Sequence, residues 1–243
     1  MDQLRPVTME LGFTKFAEGS CLIRAGDTVV LCNASVEERV PPHVSKGGWV
    51  TAEYSMLPRA NRERSKRDVA KLKLAPRSAE IQRLVGRALR AAVDLEALGP
   101  RTITIDCDVL QGDGGTRTYA LRRERQEQKG AAEAGGFVAL VLACRCLAAQ
   151  GLLEKLPIRN YVAGVSAGIV GGEAMVDLCY VEDSQAAVDF NCVMNGNGNL
   201  IEVQGTGEGR PFTPEEEQKL LRLCAKGCRE LIALEKKVLG ELV

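Results

Sequence analysis

The 243-residue sequence predicts an α+β fold, built as a single domain over residues 1–243 with mixed sheets and flanking helices. Three observations lead there. Stretches of strand pattern interleave with three long stretches of helical pattern; glycine-centred turns join neighbouring strands and imply antiparallel pairing; and no shift in composition marks a linker. Hydrophobic residues make up 45% of the chain and charged residues 26%, the balance of an ordinary globular protein, which sets aside fibrous and disordered classes.

Taken in order, residues 19–34 read as two apolar strands around Ala25-Gly26-Asp27, a cluster suited to a hairpin turn. Residues 78–98 read as a helix, because Ile81, Leu84, Val85, Ala88, Leu89, Ala92 and Val93 recur at three- and four-residue spacing. Ser78 stands where an N-cap belongs, Gly99-Pro100 ends the run, and Arg83, Arg87 and Arg90 form its solvated face. Residues 102–109 alternate, with Ile103, Ile105, Cys107 and Val109 on one side and Thr102, Thr104, Asp106 and Asp108 on the other, as in a half-buried strand. Residues 137–153 are again helical, residues 162–180 form a hairpin around Gly171-Gly172, and another strand pair flanks Asn195-Gly196-Asn197-Gly198-Asn199. Thr213-Pro214-Glu215-Glu216 supplies an N-cap, an N1 proline and a capping-box glutamate for the last helix. Residues 119–136 are too polar to run directly into the helix at Phe137, since they hold Arg122, Arg123, Glu124, Arg125, Glu127 and Lys129; a solvated excursion is expected.

Charge and cysteine usage narrow the function classes. Lysine plus arginine (32) equals aspartate plus glutamate (32), so any nucleic-acid surface is local rather than global. Aromatic residues are 4% of the chain, too few for base stacking to be the main handle. The nine cysteines follow neither an extracellular disulfide framework nor a zinc spacing and read as reduced thiols, with Cys144, Cys146, Cys224 and Cys228 as small buried residues of apolar helices. Met1 to Pro6 lack the layout of a signal peptide and no apolar run approaches bilayer-spanning length, so a cytoplasmic protein without a membrane partner is expected.

Three constellations can carry chemistry. Directly after the alternating strand, Gln111-Gly112-Asp113-Gly114-Gly115-Thr116-Arg117-Thr118 has adjacent glycines for close backbone approach to an anion, a hydroxyl donor and a guanidinium fork for phosphate. Its spacing is not that of a P-loop, and an ordinary glycine-rich loop is the alternative. In the second, Asp183 and Asp189 would share a face of a straight strand yet stand about 20 Å apart, so cooperation requires a bend, which Glu182-Asp183-Ser184 can supply. So placed, the two carboxylates could hold Mg²⁺ bridged to substrate phosphates, or one could act as a general acid; a plain acidic turn is the alternative. The third runs over residues 59–77, where Arg59, Arg62, Arg64, Lys66, Arg67, Lys71, Lys73 and Arg77 face only Glu63 and Asp68. Such a run can neutralise RNA phosphates, or it is a solvated loop.

Together with Asp2-Gln3-Leu4-Arg5-Pro6-Val7-Thr8, Trp49-Val50-Thr51-Ala52-Glu53-Tyr54, Met56-Leu57-Pro58-Arg59, Glu80-Ile81-Gln82-Arg83-Leu84, Asp106-Cys107-Asp108-Val109-Leu110-Gln111, Glu182-Asp183-Ser184 and Glu202-Val203-Gln204-Gly205-Thr206, these residues resemble the ribonuclease PH family over most of the chain. The resemblance implies a β-α-β fold and a homohexameric ring made as a trimer of dimers. It also implies phosphorolytic 3′→5′ trimming of tRNA precursors, rRNA 3′ ends and other structured RNAs, with inorganic phosphate as co-substrate. Arg77, Gly115, Thr116 and Arg117 would bind the phosphate, Asp183 and Asp189 would be the catalytic, Mg²⁺-holding carboxylates, and Arg59, Arg62, Arg64, Lys66, Arg67, Lys71 and Lys73 would grip the RNA. The chain departs from the family pattern at Phe16, where a histidine is usual, at Ala75-Pro76 ahead of Arg77, where glycines are usual, and over residues 119–136, where the family has a short Ala-Ser-Ile-Thr-Gly-Ala. An inactive RNA-binding ring subunit of the same family and a small-molecule phosphotransferase are the rival readings.

Overall fold

A computed structural model describes residues 2–67, 76–113 and 129–242 of the chain, with side chains from residue 78 in the second segment and from residue 131 in the third. Five strands, β1 (Val7–Leu11), β2 (Gly19–Ala25), β3 (Thr28–Glu37), β4 (Trp49–Met56) and β5 (Thr102–Gln111), form a first sheet in the order β1-β2-β3-β5-β4. Its pairs are antiparallel except β4 with β5, which are parallel, so the sheet is mixed. Between β4 and β5 lie α1 (Pro76–Ala92) and the single turn α2 (Leu95–Leu98). After β5 come α3 (Lys129–Ala149), then β6 (Val162–Val170), β7 (Glu173–Val176), the single turn α4 (Tyr180–Asp183), β8 (Val188–Asn195), β9 (Leu200–Gly207) and α5 (Pro214–Leu239). The last four strands make a second, antiparallel sheet in the order β7-β6-β8-β9.

Helix α3 is the centre of the molecule. It packs on β2 and β3 from one side and on β6 from the other, and Phe137, Val138, Leu140, Val141 and Cys144 are all fully buried. A helix apolar on every side has no solvated face to offer, and here two sheets cover it. Burying a side chain the size of Phe137 stabilises the fold by roughly 1.5–3 kcal/mol. The approach of α3 to β2 is close enough that a side chain at Gly19 would run into the Ala139 carbonyl oxygen, a backbone atom that cannot swing aside, so glycine is required there. Helix α5 covers the opposite face of the second sheet, where the Cys224 and Cys228 thiols donate weakly to the Val165 and Ala163 carbonyls at 3.6 and 3.4 Å.

The hairpins at Gly26, Gly171-Gly172 and Gly198, the alternation of β5 and the capping box at Thr213 all stand as the sequence predicts. Four expectations need correction. The helix expected over residues 78–98 is two, because the Asp94 side chain accepts from Ala97 N at 3.1 Å and starts a new turn; Ser78 lies inside α1 instead of capping it. Helix α3 begins at Lys129, not Phe137, so the last part of the expected excursion is helical, with Ala132, Glu133 and Ala134 buried, while residues 119–128 lie outside the described residues.

The remaining two concern α3 and α1. Residues Ala131–Ala149 have a mean hydropathy of 1.6 and are long and apolar enough to span a bilayer, contrary to the expectation of no such run, but the segment is largely packed inside the protein. The arginine face of α1 is not simply wet. Arg90 donates to the Val50 carbonyl at 2.8 Å and lies 4.4 Å from the Trp49 ring centre, while Arg87 forms a two-pronged pair with Glu202 of β9 at 2.9 and 2.6 Å.

All nine cysteines are free, and seven are buried. Burial, followed by the charges of neighbouring groups, pushes the Cys21 and Cys192 thiols up to about 12, and burial alone does so for Cys144. These are packing residues rather than nucleophiles.

Candidate active site

The two aspartates sit at one end of the β6–β8 pair. Asp183 closes α4, and the chain then turns tightly: Ser184 N donates to Tyr180 O, Gln185 N to Glu182 O, Ala186 N to Asp183 O and Ala187 N to Ile169 O, with distances of 2.8–3.1 Å. Two residues later Asp189 stands on β8 opposite Gly168 of β6 and Thr206 of β9. The predicted bend is therefore real, in the form of one helical turn that the Cys179–Glu182 capping box starts, with Cys179 N donating to Glu182 Oε2 at 2.9 Å. Both carboxylates are buried, Asp183 to 2% exposure and Asp189 to 4%. A solvated acidic turn would not look like this, because burying a carboxylate is costly unless something compensates.

One compensation is Asn191, to which the sequence reading gave no role. It lies two residues along β8 on the same face, is itself buried, and donates from Nδ2 to Asp189 Oδ1 at 3.2 Å. The alternation of β8 is the signal that could have found it. Carboxylates are hard oxygen donors, the kind that suits Mg²⁺, an ion that keeps waters and substrate phosphate oxygens in its shell. Among the described residues no group of three or more His, Cys, Asp or Glu could hold a metal ion.

Of the expected phosphate ligands, Gly115, Thr116 and Arg117 lie outside the described residues, as do Lys71 and Lys73 of the basic segment. Arg77 falls in the first turn of α1, and its side chain is outside the described part. Arg59, Arg62, Arg64, Lys66 and Arg67 are exposed on the loop that leaves β4, where Arg59 Nη1 donates to the Arg62 carbonyl at 2.9 Å.

The strand that delivers the chain to the glycine-rich loop is described to its end. At Asp113, just before Gly114, the backbone is held by three hydrogen bonds with two side chains. Its N–H donates to Thr28 Oγ1 at 3.1 Å, and its carbonyl accepts from Thr28 Oγ1 at 3.1 Å and from Arg5 Nη1 at 2.8 Å. Arg5 also donates from Nη2 to Asp177 Oδ1 at 2.7 Å and from its backbone N to Asp177 Oδ2 at 2.8 Å. No sequence signal separated Arg5 from its quoted neighbours.

Comparison with known proteins adds the following. Residues 3–148 match the family model described as 3′ exoribonuclease family, domain 1, and residues 160–227 match domain 2 of the same family. A protein named Ribonuclease PH from Syntrophomonas wolfei is 52% identical over 241 residues, spanning 98% of this chain and 96% of the relative. Another from Moorella thermoacetica is 51% identical over 242 residues, 99% of this chain and 92% of the relative. Among solved structures, rice Rrp46 superposes with a TM-score of 0.76 at 16% identity, over 98% of this chain and 97% of that one. A chain of the Archaeoglobus fulgidus exosome with RNA bound to the active site does so with a TM-score of 0.76 at 22% identity, over 95% and 88%. These two likenesses are of fold.

Proposed function

The chain belongs to the 3′ exoribonuclease family and within it to the ribonuclease PH type, and from that premise we propose how its residues share the work of phosphorolysis. It is a phosphate-dependent nucleotidyltransferase: inorganic phosphate attacks the terminal 3′ phosphodiester, the bond to the rest of the RNA breaks, and a nucleoside diphosphate leaves. The buried pair Asp183 and Asp189, held on two adjoining elements, is the observation that carries the site assignment.

In this reading Gly115, Thr116, Arg117 and Arg77 hold the attacking phosphate and offset its repulsion from the RNA phosphate. Asp183 and Asp189 face the scissile end, and Asn191 keeps the Asp189 carboxylate in orientation through its 3.2 Å bond. The pair would hold Mg²⁺, whose charge, when bound, stabilises the phosphate oxygens as the leaving oxyanion develops. In the alternative, one of the two carboxyls, protonated and not bound to the ion, would deliver the proton to that oxygen. Arg59, Arg62, Arg64, Lys66 and Arg67, with Lys71 and Lys73, would track the backbone of the incoming 3′ tail, a grip by charge that needs no base reading.

The substrates proposed are tRNA precursors and rRNA 3′ ends, in the cytoplasm, and the working form proposed is a homohexamer built as a trimer of dimers. The two matched family segments are proposed to act as one unit, because α3 belongs to the core of both sheets. A labelled tRNA precursor tests the reading. Trimming should require phosphate and release nucleoside diphosphates, and the Asp189→Asn variant should bind the same RNA without trimming it. Equal release of monophosphates in phosphate-free buffer, or normal trimming by the variant, would overturn it.

A further inference from the structure

We propose that Arg5, together with Thr28 and Asp177, is a positioning unit that sets the start of the phosphate loop relative to the catalytic carboxylates. The inference rests on the phosphate-site reading above. Asp113 is the residue from which Gly114 to Arg117 depart, and its peptide is the one that Arg5 and Thr28 grip. On the other side Arg5 is paired to Asp177, whose N–H donates to Ser166 O of β6 at 2.8 Å. Leu178 follows, buried to 2%, then Cys179 with its capping box, then α4 ending in Asp183. A short series of hydrogen-bonded and packed groups thus runs from the phosphate loop's root to the first carboxylate, and Arg5 joins its two halves, bonding Asp113 on one side and Asp177 on the other.

Several features suit Arg5 to this role. Its side chain is largely buried, as is that of Asp177, at 17% and 15% exposure, so solvent screens the pair less than it would a surface bridge. Gly26, at φ +56° in the β2–β3 turn, leaves the space that the Arg5 stem crosses, because a side chain there would lie 2.9 Å from Arg5 Cδ. Asp177 is the only non-glycine residue with positive φ among those described, at +52°, a conformation that costs a free chain energy and that aspartate tolerates better than most. The segment ahead of Arg5 is itself fastened, with Lys226 Nζ of α5 donating to Asp2 Oδ2 at 2.8 Å. The role assigned to Arg5 is positional, acting through the Asp113 peptide.

A displaced phosphate loop weakens phosphate binding and leaves the grip on RNA intact. Phosphate saturation curves for trimming of a labelled RNA, RNA affinity and melting temperature should be measured for the full chain and for Arg5→Ala, Arg5→Lys, Thr28→Val and Arg117→Ala. Arg5→Ala is expected to raise KM for phosphate about 10-fold, with kcat at saturating phosphate and RNA Kd within about twofold, since small misplacements of a binding group suffice for such losses. Arg5→Lys, which can still reach the Asp113 carbonyl with one donor, should recover part of it, and Thr28→Val should raise KM about threefold.

If Arg5→Ala does not fold, Thr28→Val decides. Unchanged phosphate KM in both, beside a raised KM in Arg117→Ala, overturns the positioning role and leaves the phosphate site standing. A parallel decline of phosphate KM, RNA affinity and melting temperature overturns it too, by reducing Arg5 to a structural bridge. Unchanged KM in Arg117→Ala sinks the phosphate-site reading itself, and the inference with it.

Discussion

The two sheets carry opposite kinds of functional group. The loop leaving the first sheet presents Arg59, Arg62, Arg64, Lys66 and Arg67 to water, on long flexible stems with no shared geometry to keep. The second sheet instead buries Asp183 and Asp189 and braces them by a capped turn, a cross-strand glycine and Asn191. The contrast suits the roles proposed for the two groups. Attraction to a phosphate backbone is long-ranged and tolerant of angle, so exposed cations on a loop serve it well. Charge developing on one oxygen at one point of a reaction is stabilised only by groups already in place, which is work for rigid elements.

The sharpest way to break the contrast is to replace a carboxylate. Asp189→Asn, nearly the same in shape, should lower kcat by about 10³-fold while RNA Kd stays within about twofold. Single-turnover trimming beside filter binding reads both quantities, and a loss of RNA affinity equal to the loss of rate would erase the division of labour. The opposite perturbation is Arg62→Ala, Arg64→Ala and Arg67→Ala together. There the slope of log affinity against log salt should fall by about 2 for a single-stranded tail, with kcat at saturating RNA little changed. An unaltered salt slope would return that segment to a solvated loop.

A third prediction turns on a buried carboxyl that has no such bracing. Glu235 of α5 is fully buried, and neither of its oxygens has a hydrogen-bond partner among the described residues. Burial holds its proton on well above the usual carboxylate range, and its charge would in turn help hold on the protons of Cys21, Cys228 and Tyr161. The folded chain therefore keeps a proton that the unfolded chain releases above a pH of about 4.3. Stability from this group is complete below that pH and is lost as pH rises toward the raised folded value, by about 1.4 kcal/mol per pH unit within the window. Glu235→Gln cannot ionise, so its melting temperature should gain on that of the parent as pH rises from 5 to 9. Parallel curves would mean that the carboxyl titrates alike in both states. Smallest of all is Arg87→Gln, which removes the bridge from α1 to Glu202 on the second sheet; about 0.5 kcal/mol of stability is expected from so exposed a pair, measured by urea unfolding.

Sequence reading succeeded where one local cause decides the structure. Gly26, Gly171 and Gly172 carry positive φ and make the turns, Thr213 and Glu216 cap each other, and the side-chain period of two in β5 buries Ile103, Ile105, Cys107 and Val109 to within 1%. The bend between Asp183 and Asp189 was legible for the same reason, from short polar residues at its corner. It failed where the outcome depends on a distant neighbour. Lys129 and Gly130 look like loop residues, yet they open α3 because the two sheets need a helix there, and Arg90 looked solvated until Trp49 and Val50 came to meet it. Arg5 belongs to the same class, since its partners are set by tertiary packing 108 and 172 residues away, whereas Asn191 bonds Asp189 only two residues along β8 and was within reach of the strand's alternation.

The burial of α3 on both sides also bears on how the chain is made. At the moment a ribosome has released residues up to Ala149, the first sheet can take up one flank of this helix, but β6 does not yet exist to receive the other. The emerging chain then holds out to water part of a segment with a mean hydropathy of 1.6, and it does so until the second sheet follows. Synthesis thus passes through a stage at which exposed apolar surface invites aggregation until the second sheet closes over it.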